Sequence, residues 1–84
     1  MSTMAGMGRK RKEVDQSTYS GRVAARLRLL REKAGKTVPE MAKAVGVSSA
    51  SIYAWERNSR DVALDSVPRI CEVLGIKPRK FFDV

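Results

Sequence analysis

The chain has 84 residues with one Cys and no His, so neither an internal disulfide nor a Cys/His zinc cluster can hold it together, and the commonest general base of enzymes is missing. Seventeen Lys and Arg against nine Asp and Glu give a formal charge of +8 and a sequence pI near 10.3, which favours an anionic partner. The sequence contains no apolar run of about eighteen residues and no apolar signal core at its start, so no membrane span is expected and a cytoplasmic location is.

Residues 1–20, MSTMAGMGRKRKEVDQSTYS, are small, polar and charged, and are expected to form a disordered basic N-terminal arm. Within it Arg9, Lys10, Arg11 and Lys12 make a candidate DNA arm, able to follow a phosphate backbone or enter a groove. The same run would serve equally as a solubilising tail. This arm holds four basic and two acidic residues, so most of the positive charge belongs to residues 21–84, the expected domain. A domain of about sixty residues buries only roughly 60% of its unfolded surface and depends on close helix packing or a partner chain.

From Gly21, the residues Val23, Leu27, Leu30 and Ala34 recur at i, i+4, i+7 and i+11, one face of an amphipathic helix. Ser20 is its expected N-cap and Gly35 its stop. Leu29 lies off that stripe, as a solvated side chain or a partner contact. Thr37-Val38-Pro39-Glu40 has the form of a capping box, and Pro39 fits an early helix position that has no amide partner to lose. Val38, Met41, Ala42 and Val45 then mark a second, two-turn helix closed by Gly46.

Ser48 is suited to cap a third helix from Ser49 to about Arg57. Ile52 and Trp55 face inward, while Ser49, Ala50, Ser51, Tyr53, Ala54 and Arg57 occupy the other faces, and Asn58 can take the left-handed conformation that ends it. Ser59 to Ala63 form an irregular basic link. Val67, Ile70, Cys71 and Leu74 give a fourth stripe ending at Gly75, with Asp65 the expected cap and Pro68 at N3. Lys77 and Pro78 begin a last short helix that returns Phe81 and Phe82 to the core. Trp55 and Cys71 both lie on apolar stripes and are read as core, and no cationic neighbour activates the Cys71 thiol.

Five short helices, the second and third joined by a glycine turn, make a helix-turn-helix arrangement. Thr37 to Asn58, TVPEMAKAVGVSSASIYAWERN, resembles the helix-turn-helix of the Xre and Cro/repressor family, with matches at Thr37, Glu40, Ala42, Gly46, Val47, Ser48, Ile52, Trp55 and Glu56. The resemblance runs back through Arg26 to Arg31, Ala34 and Gly35, and forward through Leu64, Leu74, Gly75, Ile76 and Phe82. It implies an all-α, compact five-helix, lambda-repressor-like domain without cofactor or metal, and a regulator rather than an enzyme.

The activity implied is sequence-specific DNA binding by a bacterial or phage transcriptional regulator, of the repressor/Cro-like or restriction-modification controller type. It would bind a near-palindromic operator in double-stranded DNA as a homodimer, with helix 49–57 in the major groove. Carried over residue by residue, Ser48, Ser49, Ala50, Tyr53 and Ala54 face bases, and Thr37, Val38, Arg57, Ser59 and Arg60 hold phosphates. Arg31 and Glu56 match a family pair that ties the first helix to the third beneath the DNA face. Val62 to Leu64 and Phe82 to Val84 are the expected dimer contacts. A second function fits the same fold: an antitoxin that neutralises a toxin protein and represses its own operon.

Departures from the family pattern alter the expectation. Val38 stands where Gln is usual, so a side-chain phosphate bond is lost, and Pro39 removes a nearby amide. Ser and Ala at base-facing positions cannot make bidentate contacts to guanine or adenine, so readout should lean on thymine methyls, hydroxyls, Tyr53 and DNA shape. Asn58 replaces the usual Gly, which Asn tolerates.

Overall fold

Hydroxyl caps start the first three helices of the computed structural model, which describes residues 14–84; Arg9, Lys10, Arg11 and Lys12 lie outside the described residues. The elements are α1 (Tyr19–Lys33), α2 (Val38–Val45), α3 (Ser49–Glu56), a 3-10 turn (Leu64–Ser66), α4 (Val67–Leu74) and α5 (Pro78–Phe81). There is no strand among the described residues.

α1 begins earlier than its apolar stripe suggests. Thr18, not Ser20, is the cap, its Oγ1 accepting the Gly21 amide at 3.0 Å. Ser20 lies inside the helix, and the folded chain reaches back across the expected boundary at residue 20. The cause is a turn in which Asp15 accepts the Ser17 amide at 2.9 Å and folds the chain onto the helix start. Gly21 permits that approach, because a Cβ there would collide with the Asp15 carbonyl.

The capping box of α2 is complete: the Glu40 amide donates to Thr37 Oγ1 at 3.2 Å and the Thr37 amide donates to the Glu40 carboxylate at 2.8 Å. The backbone hydrogen bond from Thr37 holds the Glu40 carboxyl below its ordinary range. Because the folded-state value is lowered, this contribution to stability is present above the unfolded pKa and is lost as pH falls through the folded one. Gly46, at φ 89°, ends α2 in the left-handed region that its turn requires. Ser48 then caps α3, its Oγ accepting the Ser51 amide at 3.1 Å. Asn58, at φ 60°, takes the left-handed conformation expected of it.

The expected cap of α4 is not found. Asp65 lies within the 3-10 turn, Ser66 occupies the cap position without a side-chain hydrogen bond, and Pro68 sits at N2 rather than N3. The Ser66 amide instead donates to the Ala63 carbonyl at 2.9 Å. The tight turn thereby orders the helix entry, and Pro68 has no amide that needs a cap.

Each of the five α-helices sends one fully buried side chain to a common centre: Leu27, Met41, Ile52, Ile70 and Phe81. Trp55 and Cys71 join them, as their stripes require, and burial pushes the Cys71 thiol up, keeping it neutral and unreactive. Phe82 is half-buried and meets Phe81 edge-on, with ring centroids 4.9 Å apart. α1 fastens the C-terminal segment through the Tyr19 hydroxyl, which donates to the Phe82 carbonyl at 2.8 Å, and the Arg26 guanidinium, which donates to the Lys80 carbonyl at 3.1 Å.

Phe81→Ala should cost about 3–5 kcal/mol, the range for truncating a buried aromatic. A core of this size rarely supplies more than about 3–5 kcal/mol in all. Denaturant melts should therefore find this variant largely unfolded at room temperature.

Candidate nucleic-acid interface

α3 is divided between a seated face and an open one. Ile52, Trp55 and Glu56 are buried, while Ala50, Tyr53 and Arg57, at i, i+3 and i+7, are exposed together. Ser48 is exposed at the cap, and Ser49 and Ala54 are half-buried on the margins of the open face. The expected base-facing set thus occupies one end and one side of the helix. Its members are short except for Tyr53, so the surface they offer is shallow and lined by methyl and hydroxyl groups.

The seated face is held by an ion pair. Arg31 Nε donates to Glu56 Oε2 at 2.7 Å and Arg31 Nη2 to Glu56 Oε1 at 3.0 Å, while Arg31 Nη1 donates to the Lys36 carbonyl at 2.8 Å. The two side chains are only 11% and 6% exposed. The hydrogen bonds to Glu56 raise the guanidinium further above its ordinary pKa, so it remains charged throughout the folded range. One cation therefore binds α1, the residue before the α2 cap and α3, in the planar fork geometry that only Arg provides.

Thr37 is exposed, with its hydroxyl in the capping box. Val38 is 6% exposed and belongs to the core, as its place on the apolar stripe requires, and Pro39 beside it has no backbone amide to offer. The Ser59 hydroxyl donates to the Ala54 carbonyl at 3.2 Å and helps to close α3. Arg57 and Arg60 are exposed, and neither forms an ion pair with a described residue.

Arg60 has a partner that its sequence position does not announce. Its Nη2 donates to Ser51 Oγ at 3.3 Å, and Ser51 Oγ lies 3.1 Å from Ser48 Oγ. The guanidinium thus rests against the N-terminal half of α3, linking the loop cation to the helix that carries the expected base-facing set. Asn58 also gains a tie, its amide donating to Ser20 Oγ at 3.3 Å. A capping hydroxyl three residues before a second Ser was the one sequence signal for the Ser48 and Ser51 pair. Nothing in the sequence marked the contacts across 38 residues or more.

Two short helices joined by a left-handed glycine, the second bolted from beneath and open above, define a helix-turn-helix module. The family model for a helix-turn-helix domain matches residues 22–80, and the chain belongs to that family. No curated protein matches the chain. Among solved structures, the restriction-modification controller protein C.AhdI from Aeromonas hydrophila is 29% identical with a TM-score of 0.67, the match covering 70% of this chain and 89% of that one. The clp gene regulator ClgR from C. glutamicum is 26% identical with a TM-score of 0.69, covering 76% of this chain and 83% of that one. A hypothetical transcription factor from Neisseria, NHTF, shares the fold at a TM-score of 0.72 and 22% identity, covering 84% of this chain and 80% of that one. No helix among the described residues is long and apolar enough to cross a membrane.

Removing one partner of a buried ion pair typically costs about 3–5 kcal/mol, because the other charge is left without compensation. Arg31→Ala should fall in that range. The Arg31→Ala/Glu56→Ala double variant should recover part of the loss, so that a denaturant-melt cycle gives a coupling well above zero. A coupling near zero would show two independent charges.

Proposed function

We propose that the protein is a DNA-binding transcriptional regulator that acts as a homodimer on a near-palindromic operator, with α3 in the major groove. The observation that carries this reading is the open face of α3, where Ala50, Tyr53 and Arg57 stand exposed on a helix fixed by the Arg31 and Glu56 pair. A single α-helix fits the major groove, where every base pair shows a distinct pattern of donors, acceptors and methyl groups. Ala50 and Ala54 suit thymine methyls, and Ser48 and Ser49 offer hydroxyls. Thr37, the Val38 amide, Arg57, Ser59 and Arg60 flank the helix as phosphate contacts. Two similar proteins, the controller protein C.AhdI and the gene regulator ClgR, are regulators by name, which supports the same class.

Homodimerisation follows from the small size of the base-facing side chains. One such module discriminates weakly, and two half-sites double the contacts. Their centres should lie about 10–10.5 bp apart, or a multiple of that, as helix-turn-helix dimers require. Arg9, Lys10, Arg11 and Lys12 would add phosphate contacts from the arm.

Selection of bound duplexes from a random pool tests the assignment of the reading helix. Ala50→Gln should change the preferred base at its contact, since Gln bonds adenine where Ala offers a methyl, by about 1–3 kcal/mol. Arg60→Ala should weaken all sequences alike and flatten the dependence of log affinity on log salt by roughly 0.9. If Ala50→Gln kept the parental preference while Arg60→Ala changed it, α3 would not be the reader.

Deleting residues 1–12 should leave the thermal transition of the domain in place and flatten the same salt slope, by roughly 0.9 for each phosphate that the arm no longer neutralises. Equal slopes for the full and shortened chains would make the arm a bystander.

A further inference from the structure

Among the described residues, Arg28, Arg31 and Arg69 each meet a carboxylate, and Arg22 and Arg26 donate to backbone carbonyls. Arg60 is held differently. Although Asp61 follows it in the chain, its guanidinium forms no ion pair with a described residue and donates instead from Nη2 to Ser51 Oγ at 3.3 Å. A carboxylate would cancel the charge that it holds. A hydroxyl accepts one hydrogen bond and leaves the full positive charge and the remaining N–H donors for another partner.

Arg60 is fixed at both ends. At its root, the Ser59 amide and hydroxyl donate to the Ala54 carbonyl at 2.9 and 3.2 Å, and the left-handed turn at Asn58 brings the link back alongside α3. Along its length it lines a hollow beside Leu64 that Tyr19, Trp55 and Phe82 help to wall. At its tip, Ser51 Oγ is itself placed 3.1 Å from the capping Ser48 Oγ. Helix geometry sets Ser51 about 100° on from Ala50, just past Ala54 at one edge of the open face. The guanidinium therefore stands at that edge.

We propose that Ser51, which is not among the expected contact residues, is a positioning residue that holds Arg60 ready for a DNA phosphate. The inference rests on the DNA-binding reading above and assigns that site one further residue. In the proposed docking the edges of α3 face the groove walls, where the phosphates run. A long side chain on an irregular link loses rotamer freedom when it meets a phosphate, and one already held in place has less to lose. Ser51 thus contributes to affinity without touching DNA and without altering sequence preference.

The test is a double-variant cycle on the full chain, with a duplex that the parent selects from a random pool. Ser51→Ala should bind it roughly 5-fold more weakly, the size of one modest hydrogen bond, and keep the parental base preference. Its thermal transition should not fall, since Ala favours a helix at least as well as Ser. Its salt slope should match the parent's, whereas Arg60→Ala flattens the slope by roughly 0.9. In the Arg60→Ala background, Ser51→Ala should have no further effect, because the side chain that it positions is gone. Ser51→Thr, which keeps a hydroxyl, should retain the parental affinity.

An equal loss from Ser51→Ala with Arg60 present and absent would make Ser51 a direct contact and overturn the positioning role, leaving α3 as the reader. No loss from Ser51→Ala with Arg60 present would overturn it too. An Arg60→Ala variant with the parental salt slope would remove the phosphate contact and the positioning role together. A parent without affinity for duplex DNA would overturn the DNA-binding reading itself.

Discussion

From its place on α1, the Arg31 guanidinium reaches α3 through Glu56 and the approach to α2 through the Lys36 carbonyl, and the seating of α3 depends on it. A charge taken out of water is costly unless it is paired and hydrogen-bonded. The two-pronged pair of buried charges restricts the angle at which α3 presents its open face. That restriction counts for more here than in a protein with long reading side chains. Ala50 and Ser49 have no reach with which to compensate for a helix that rocks, so any specificity they supply depends on placement.

The core achieves its cohesion by convergence rather than by staples. Each helix contributes one fully buried side chain to the same centre, and the helices are too short to stand apart from it. α5 shows the dependence most plainly: four residues long, without a side-chain cap, it is kept in place by the burial of Phe81 and by hydrogen bonds from α1 to Lys80 and Phe82. The arrangement that closes the core also shapes the hollow beside Leu64, because Tyr19 and Phe82 form both its wall and the clamp.

Positive charge without an acidic partner gathers beside the open face of α3. Arg57 and Arg60 lie beside α3 without acidic partners among the described residues, whereas Arg28, Arg31 and Arg69 are paired. Arg60 resting on Ser51 brings one of these cations against the helix itself. Under the proposed function, phosphate attraction would supply most of the affinity, with sequence preference coming from methyl contacts and from how readily the duplex adopts the required shape.

Local rules made much of this legible in the amino-acid order. The stripe of Val38, Met41, Ala42 and Val45, the capping box at Thr37 and Glu40, the left-handed exits at Gly46 and Asn58, and the inward Ile52 and Trp55 depend on interactions within a few residues, so periodicity and cap chemistry suffice to find them. The Arg31 and Glu56 pair, 25 residues apart, was reached only through a family resemblance. What tertiary structure alone decided lies where two local solutions competed or where distant segments meet. Both Thr18 and Ser20 carry a capping hydroxyl, and the turn at Asp15 folding onto Gly21 selected Thr18. Asp65 is a good cap by composition, yet the 3-10 turn took over the entry to α4. Arg60 on Ser51, and the hollow walled by residues from Tyr19 to Phe82, arise only when the helices pack. Sequence patterns record the face a residue turns inward, and they carry no record of which outward faces end up side by side.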